Sequence, residues 1–585
     1  MLAPKDRSIY VESLSPPVGF DLTDAVATAF SADMETLLSV PIHLALEESC
    51  VSTDVESSAI EILAAFRRLA TRLTIFVQRG RVAPPTKPHK LYTLIEPVLV
   101  DVTGANGPLH AKLWLLRFQR DDEVRLRLVV PTRNLTTSRM WDAAVVLDGV
   151  VERSRDTANR PLADLLLALP KLAQTPSPAA ERRVASLAEE VRRARWDGPP
   201  GWDLIGFHVL GFARSRELVI EPSEELLVVS PFVVDEAIVA LAGTTKSPRA
   251  LLSRPDELDK LKAATRALFK ETFVLAEAAS SDPDGEDDLD HRLRGLHAKL
   301  YFARTGATTN LWIGSANATR AGLRGTNVEI LVQLATKKSR PIDEFLYERG
   351  MSDLMEPYEP SPGEAESPEQ LALDAIRDSL AGGRFELEAE NAEGGWRLRL
   401  VTQGEIDLGH GTKLRIWPIT MAESMAVDGE PLGKGASIAL AVGDVSDLTG
   451  LIAFSLTANG ADTLRFTLNL PVKNMPEQRD QELLAALIAS PDHFLSLMLR
   501  LFGRDVVPGA EEGEAGTRRS GAQLGGSSPD GSGLLEQLIR ACAVDRTRLD
   551  DAIALTETVS RSSRGRELVP PFLSELLVML KEMAA

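Results

Sequence analysis

Over roughly the first 350 residues, buried-looking apolar runs alternate with amphipathic ones. ELLVVSPFVVDEAIVALAG (225–243) reads as a buried strand and then a helix opened near Asp235. SAIEILAAFRRLATRLTIFVQRG (58–80) reads as a helix and then a strand. SPAAERRVASLAEEVRRARW (177–196) reads as an exposed linking helix, and GPPGW (198–202) marks a break after it. Strands alternating with helices predict an α/β fold in which sheets are flanked by helices.

The pattern changes beyond about residue 360. EPYEPSPGEAESPEQ (356–370) reads as a loop or linker, residues 384–472 carry the short alternating runs of a β-rich module, and 477–503 read as helical. GAEEGEAGTRRSGAQLGGSSPDGSG (509–533) has the composition of a flexible linker. Helical character returns afterwards, broken at Pro570 and Pro571. The expected organisation is a first lobe at 1–190, a second at 191–355, a β-rich module at 380–475, a helical segment at 476–508, a linker at 509–533 and a helical region at 534–585. This number of units suits 585 residues.

An internal repeat ties the two lobes together. LHAKLWLLRF (109–118) and LHAKLYFART (296–305) share their first five residues and carry an aromatic at the sixth, Trp114 against Tyr301. The two histidines lie 187 residues apart, a domain-sized period. Each copy is followed by a second strand ending in an Asn-bearing loop, VRLRLVVPTRNLTT (124–137) and NLWIGSANATRAGL (310–323). His and Lys at i and i+2 on a strand project to one face, so both can reach one phosphate.

Those residue types match the needs of phosphodiester cleavage without a metal. Imidazole can attack phosphorus or protonate a leaving oxygen, because both its forms coexist near neutral pH. Lysine supplies charge to the non-bridging oxygens and Asn a neutral donor. The sequence offers this set twice, as His110, Lys112 and Asn134, and as His297, Lys299 and Asn317, with Ser315 as an orienting donor. Asp142 and Glu329 follow the two Asn residues and are placed to accept a hydrogen bond from an imidazole and fix its tautomer.

Both copies resemble the half-motifs of the phospholipase D superfamily, the second, HAKLYF…GSANATRAGL…NVE, most closely. The resemblance covers roughly residues 40–340. It implies two lobes about a pseudo-twofold axis, one shared site and a covalent phosphohistidine, with His110 favoured as nucleophile and His297 as acid. Two departures from the family pattern stand out. Arg117 and Arg304 occupy positions where an Asp is usual, and PTRN replaces GSxN in the first copy. Both resemble the tyrosyl-DNA phosphodiesterase branch, which implies a nucleic-acid substrate rather than a lipid.

Charge agrees only locally. The chain carries a net −19, which does not suggest a polyanion partner, but residues 60–140 hold 14 Lys and Arg against 6 Asp and Glu. Within that window Arg79, Arg81, Lys87, Lys90, Arg133 and Arg139 are the expected phosphate contacts. Only Cys50 and Cys542 are present, which argues against a disulfide framework or a zinc site and points to a reducing cytoplasm. No cofactor and no metal are expected. No run of about 18 apolar residues predicts a membrane span. The expected activity is a nuclease or DNA-processing phosphodiesterase of the kind used in bacterial defence, with a possible protein partner for the C-terminal modules. A lipid phosphodiesterase lacks the amphipathic basic helix or aromatic rim it would need. A catalytically silent scaffold would not need both His, Lys and Asn sets.

Overall fold

The computed structural model describes residues 12–49, 69–104, 106–137, 140–212, 217–276, 295–337, 341–348, 351, 354–360, 367–392, 395–429 and 432–487, together with scattered positions between 494 and 579. The chain is a mixed α/β protein built from mixed sheets flanked by helices.

The first sheet has seven strands, ordered across it as Ala194–Asp197, Ala144–Val151, Glu123–Pro131, Leu113–Arg120, Asp21–Ala29, Leu73–Gln78 and Leu99–Val102. The second runs Asp203–Leu210, Glu329–Thr336, Thr308–Gly314, Leu300–Thr305, Ser223–Val229, Thr245–Leu252 and Glu271–Leu275, with Met355–Pro357 added at the far edge. Position by position, the first five strands of each sheet pair antiparallel and the last two steps are parallel. The repeat of five residues is therefore the visible remnant of a repeat of whole sheets.

Period-two alternation explains how the sheets pack. Leu113 and Leu115 join a core shared with Leu300, Phe302 and Ile330 of the second lobe. Trp114, Leu116 and Phe118 point the other way, into a core beneath Met34, Leu37 and Leu44. In the second sheet Tyr301 and Ala303 likewise face away, against Ile238 and Leu241. Both faces of both sheets are buried, so their strands read as nearly continuous apolar runs.

Two expectations change here. The helix expected within 177–196 forms over Pro178–Arg192, capped by Ser177, but it is no exposed linker. Val184, Leu187 and Val191 recur on one face and fill the shared core. The chain then returns to the first sheet as Ala194–Asp197, so that sheet extends past the expected boundary at 190. The stretch 356–370 is also not wholly a loop. Met355–Pro357 pairs with Glu271–Leu275, and Ser367 caps a helix over Pro368–Gly382.

The β-rich module has a four-stranded and a six-stranded sheet around its own core of Leu398, Ile416, Phe454 and Phe466. The six-stranded sheet is not purely C-terminal. Thr467 pairs with Val82, and Val82–Ala83 pairs with Ala32–Asp33, two short strands of the first lobe. In the expected helical segment, Arg479–Leu487 forms a helix. The helix expected at 58–68 and the linker at 509–533 lie outside the described residues. Among the described residues no helix is long and apolar enough to cross a membrane.

Candidate active site

The two His-x-Lys segments lie in extended chain just before the strands Leu113–Arg120 and Leu300–Thr305, not on them. Each reaches across to the other lobe. His110 N–H donates to Val328 O at 2.9 Å, and Val328 N–H donates to Pro108 O at 3.0 Å. Reciprocally, Gly295–Leu296 pairs with Met140–Trp141, and His297 N–H donates to Trp141 O at 2.8 Å. Each lobe therefore fixes the histidine of the other, and the four charged or titratable groups fall within one field. Lys299 acts on His110, and Lys112 acts on His297 and Lys299.

The two histidines differ in what holds them. His110 Nδ1 lies 2.9 Å from each oxygen of Glu329, which is wholly buried. Glu329 also accepts from Ser315 Oγ and, at 3.2 Å, from Asn327 Nδ2. Ser315 is held in turn by Ile330 N–H at 3.0 Å. Burial alone would raise the Glu329 carboxyl, but His110, Lys112 and Ser315 outweigh it and the carboxyl stays below its ordinary range. An ionised Glu329 accepts a hydrogen bond from Nδ1–H of His110, which leaves the Nε2 lone pair free.

His297 has no such carboxylate. Asp142, the positional counterpart of Glu329, is one methylene shorter and lies 3.4 Å from Arg133 Nε instead. The neighbour of His297 Nδ1 is Lys299 Nζ, at 3.0 Å. That ammonium also donates to His297 O at 2.7 Å and Thr132 O at 3.3 Å. The His297 imidazole also hydrogen-bonds the Thr132 carbonyl, so it shares that oxygen with Lys299. The two imidazoles thus have different partners, a carboxylate at His110 and a lysine amine at His297.

Burial dominates the ionisation. It lowers both lysines, Lys112 to about 7 against the attraction of Glu329, and Lys299 well below its ordinary value with help from Lys112. His110 is lowered by burial, with Glu329 opposing. His297 falls well below its ordinary value through burial and then the two lysines. Asp142 is raised by burial, although Arg133 and Lys299 oppose. An anion bound among these groups would restore both lysine charges.

The Asn residues sit on loops pinned from behind. Tyr301 Oη donates to Ala316 O at 2.9 Å, and Ala318 N–H donates to Ser230 Oγ at 2.9 Å. Between them Asn317 is buried, and its side-chain oxygen has no partner. Asn134 Oδ1 accepts from Ser31 N–H at 3.4 Å. Thr132, Phe30 and Asn327 carry no local sequence signal for this site. Phe30 lies 80 positions before His110, yet its ring centroid is 4.9 Å from that imidazole.

The expected phosphate contacts divide. Arg79 is buried and donates to Gly383 O at 3.4 Å, and Lys90 pairs with Asp447 at 3.0 Å. Both are spent on the C-terminal module, which corrects their expected role. Arg133 is engaged by Asp142 and Thr136 O. Lys87 is exposed. Arg81 pairs with Asp378 at 3.1 Å, and Arg139 lies outside the described residues.

No family model matches the sequence, and no curated protein matches it. Among solved structures the chain is similar to yeast tyrosyl-DNA phosphodiesterase, at 11% identity and a TM-score of 0.34, over 56% of this chain and 87% of that one. A mutant of the same yeast enzyme matches at 10% identity and a TM-score of 0.33, over 57% and 86%.

Proposed function

We propose that this chain is a phosphodiesterase of the phospholipase D type acting on nucleic acid, with His110 as nucleophile and His297 as general acid and base. The observation that carries the reading is the unequal backing of the two imidazoles. His110 Nδ1 lies against the buried Glu329 carboxylate, which leaves its Nε2 for attack, while His297 Nδ1 lies against Lys299.

The steps follow from that arrangement. His110 Nε2 attacks phosphorus in line, the bond to the leaving oxygen breaks, and His297, made imidazolium by the bound phosphate, gives that oxygen its Nε2 proton and is left neutral. Lys112, Lys299, Asn134 and Asn317 hold the non-bridging oxygens as charge builds on them. The product is a phosphoryl group on His110. His297, now without its Nε2 proton, takes one from water, the hydroxide attacks phosphorus, and the bond to His110 breaks. Glu329 keeps the Nδ1 proton of His110 in place throughout and balances the imidazolium that forms. The preference for a nucleic acid over a lipid rests on the PTRN variant around Asn134 and on the replacement of the usual Asp by Arg117 and Arg304. These arginines pair with Glu190 and with Glu224 and Glu225.

The test is cleavage of end-labelled single- and double-stranded DNA and RNA in EDTA, beside His110→Ala and His297→Ala. Cleavage that survives EDTA and disappears in both variants supports the reading. Metal-dependent cleavage that both variants retain overturns it.

A further inference from the structure

The C-terminal module reaches the candidate site through Arg81. The Arg81 guanidinium lies 5.0 Å from the centroid of Phe30, and Phe30 lies 4.9 Å from the centroid of His110. Arg81 is therefore no more than about 10 Å from the proposed nucleophile, and both meet the same aromatic ring. Lys112 Nζ approaches the same ring at 5.8 Å from its centroid. Arg81 is not free in this unliganded state. Its terminal nitrogen donates to both oxygens of Asp378, at 3.1 and 3.4 Å, on the helix Pro368–Gly382.

Three further features make this contact specific. The helix is seated directly on the residue before Arg81. Gly80 adopts φ +76°, and a Cβ there would lie 2.7 Å from Ala381 Cβ. The backbone of Arg81 is also wired to an Asn loop. Ala32 N–H donates to Arg81 O at 3.0 Å, Asp33 N–H to Leu135 O at 3.0 Å, and Leu135 N–H to Ser31 O at 3.2 Å. Finally, Asp378 has a second partner, Arg377 at 2.9 Å, and is itself more than half exposed. Arg81 can leave without stranding a buried carboxylate, so exchange of its partner is cheap.

Resting on the proposed function, we propose that Arg81 contacts a phosphate next to the scissile one on a polynucleotide strand. Asp378 is an internal competitor that occupies Arg81 until such a strand displaces it. The device selects a polyanionic chain over a lone diester, because only a chain brings a second phosphate to Arg81. It also gives the C-terminal module a hold on substrate entry, since movement of one helix changes the state of Arg81.

A double-mutant cycle tests this, in the His110→Ala background so that the strand stays intact. Binding of a fluorescent single-stranded oligonucleotide is measured across a salt series for the parent, Asp378→Asn, Arg81→Gln and the double variant, with circular dichroism as the check on folding. Asp378→Asn should bind roughly two- to fivefold tighter. Arg81→Gln should bind more weakly and lose about 0.7 from the log–log salt slope. In the Arg81→Gln background Asp378→Asn should change nothing. Equal tightening with or without Arg81 would mean general charge removal and would overturn the proposal, as would no tightening at all. Hydrolysis of bis(4-nitrophenyl) phosphate with His110 present separates this result from the function itself. If that diester is cleaved while no form binds the oligonucleotide, the Arg81 assignment fails and the two-histidine site stands. If neither occurs, both fail.

Discussion

Glu329 of the second lobe holds His110 of the first, at 2.9 Å from its Nδ1, while the residue in the matching position of the first lobe, Asp142, turns to Arg133. A duplicated fold has thus been made chemically asymmetric at one pair of carboxylates. His110 has a carboxylate behind it and His297 has a lysine, and in the proposed mechanism this makes His110 the nucleophile.

Substitution should expose that asymmetry. Glu329→Gln removes the charge that holds the His110 tautomer and balances its imidazolium, and kcat/KM on a diester should fall by about 10²- to 10⁴-fold. Asp142→Asn touches neither imidazole and should cost less than about tenfold. Steady-state kinetics of the two variants on one substrate compare them directly, and equal losses would contradict the assignment.

The pH profile should be a bell set by buried groups. Lys112 titrates near 7 in the empty site because burial disfavours its charge. Above that pH the free enzyme loses a cation that the phosphate needs, so kcat/KM should decline toward alkali. On the acid side His110 must be neutral to attack, and its value is lowered from the ordinary 6.5, so activity should persist below pH 6.5. A profile of kcat/KM from pH 4 to 10 shows both limbs. Activity rising steadily to pH 10 would contradict the role of Lys112.

The same burial makes the site a cost to the fold. An unfolded Lys112 holds its proton up to about pH 10.4, whereas the folded one releases it near 7. Between those values the unfolded state binds more protons, so stability from this group rises with pH across the window, and the penalty is fully present below 7. Lys112→Met should therefore be inactive yet more stable, by about 1–4 kcal/mol at pH 6, with the gain shrinking toward pH 10. Urea unfolding at the two pH values measures it.

The candidate site residues were legible because they repeat. LHAKL occurs twice, each copy followed by an Asn, and the reading of an α/β chain with paired lobes needed little more. What was not legible comes from pairing between distant segments. Neither the contact of Phe30 with His110 nor the strand exchange of Val82 with Thr467 leaves a local pattern. The basic window misled for the same reason. Arg79 and Lys90 read as surface charge, but they meet backbone and carboxylates some 300 residues further on. The amphipathic face of Pro178–Arg192 was visible in Val184, Leu187 and Val191, yet its high charge drew the reading toward solvent.

The most direct test of the two-histidine account uses a diester whose leaving group needs no acid. His297→Ala is mixed in EDTA with bis(4-nitrophenyl) phosphate, and the protein is then digested and its phosphorylated peptide located by mass spectrometry. The account expects a burst of about one equivalent of nitrophenolate, a stall, and an adduct on His110, because attack survives without His297 while water activation does not. An adduct elsewhere, or steady turnover with no burst and no adduct, would contradict it.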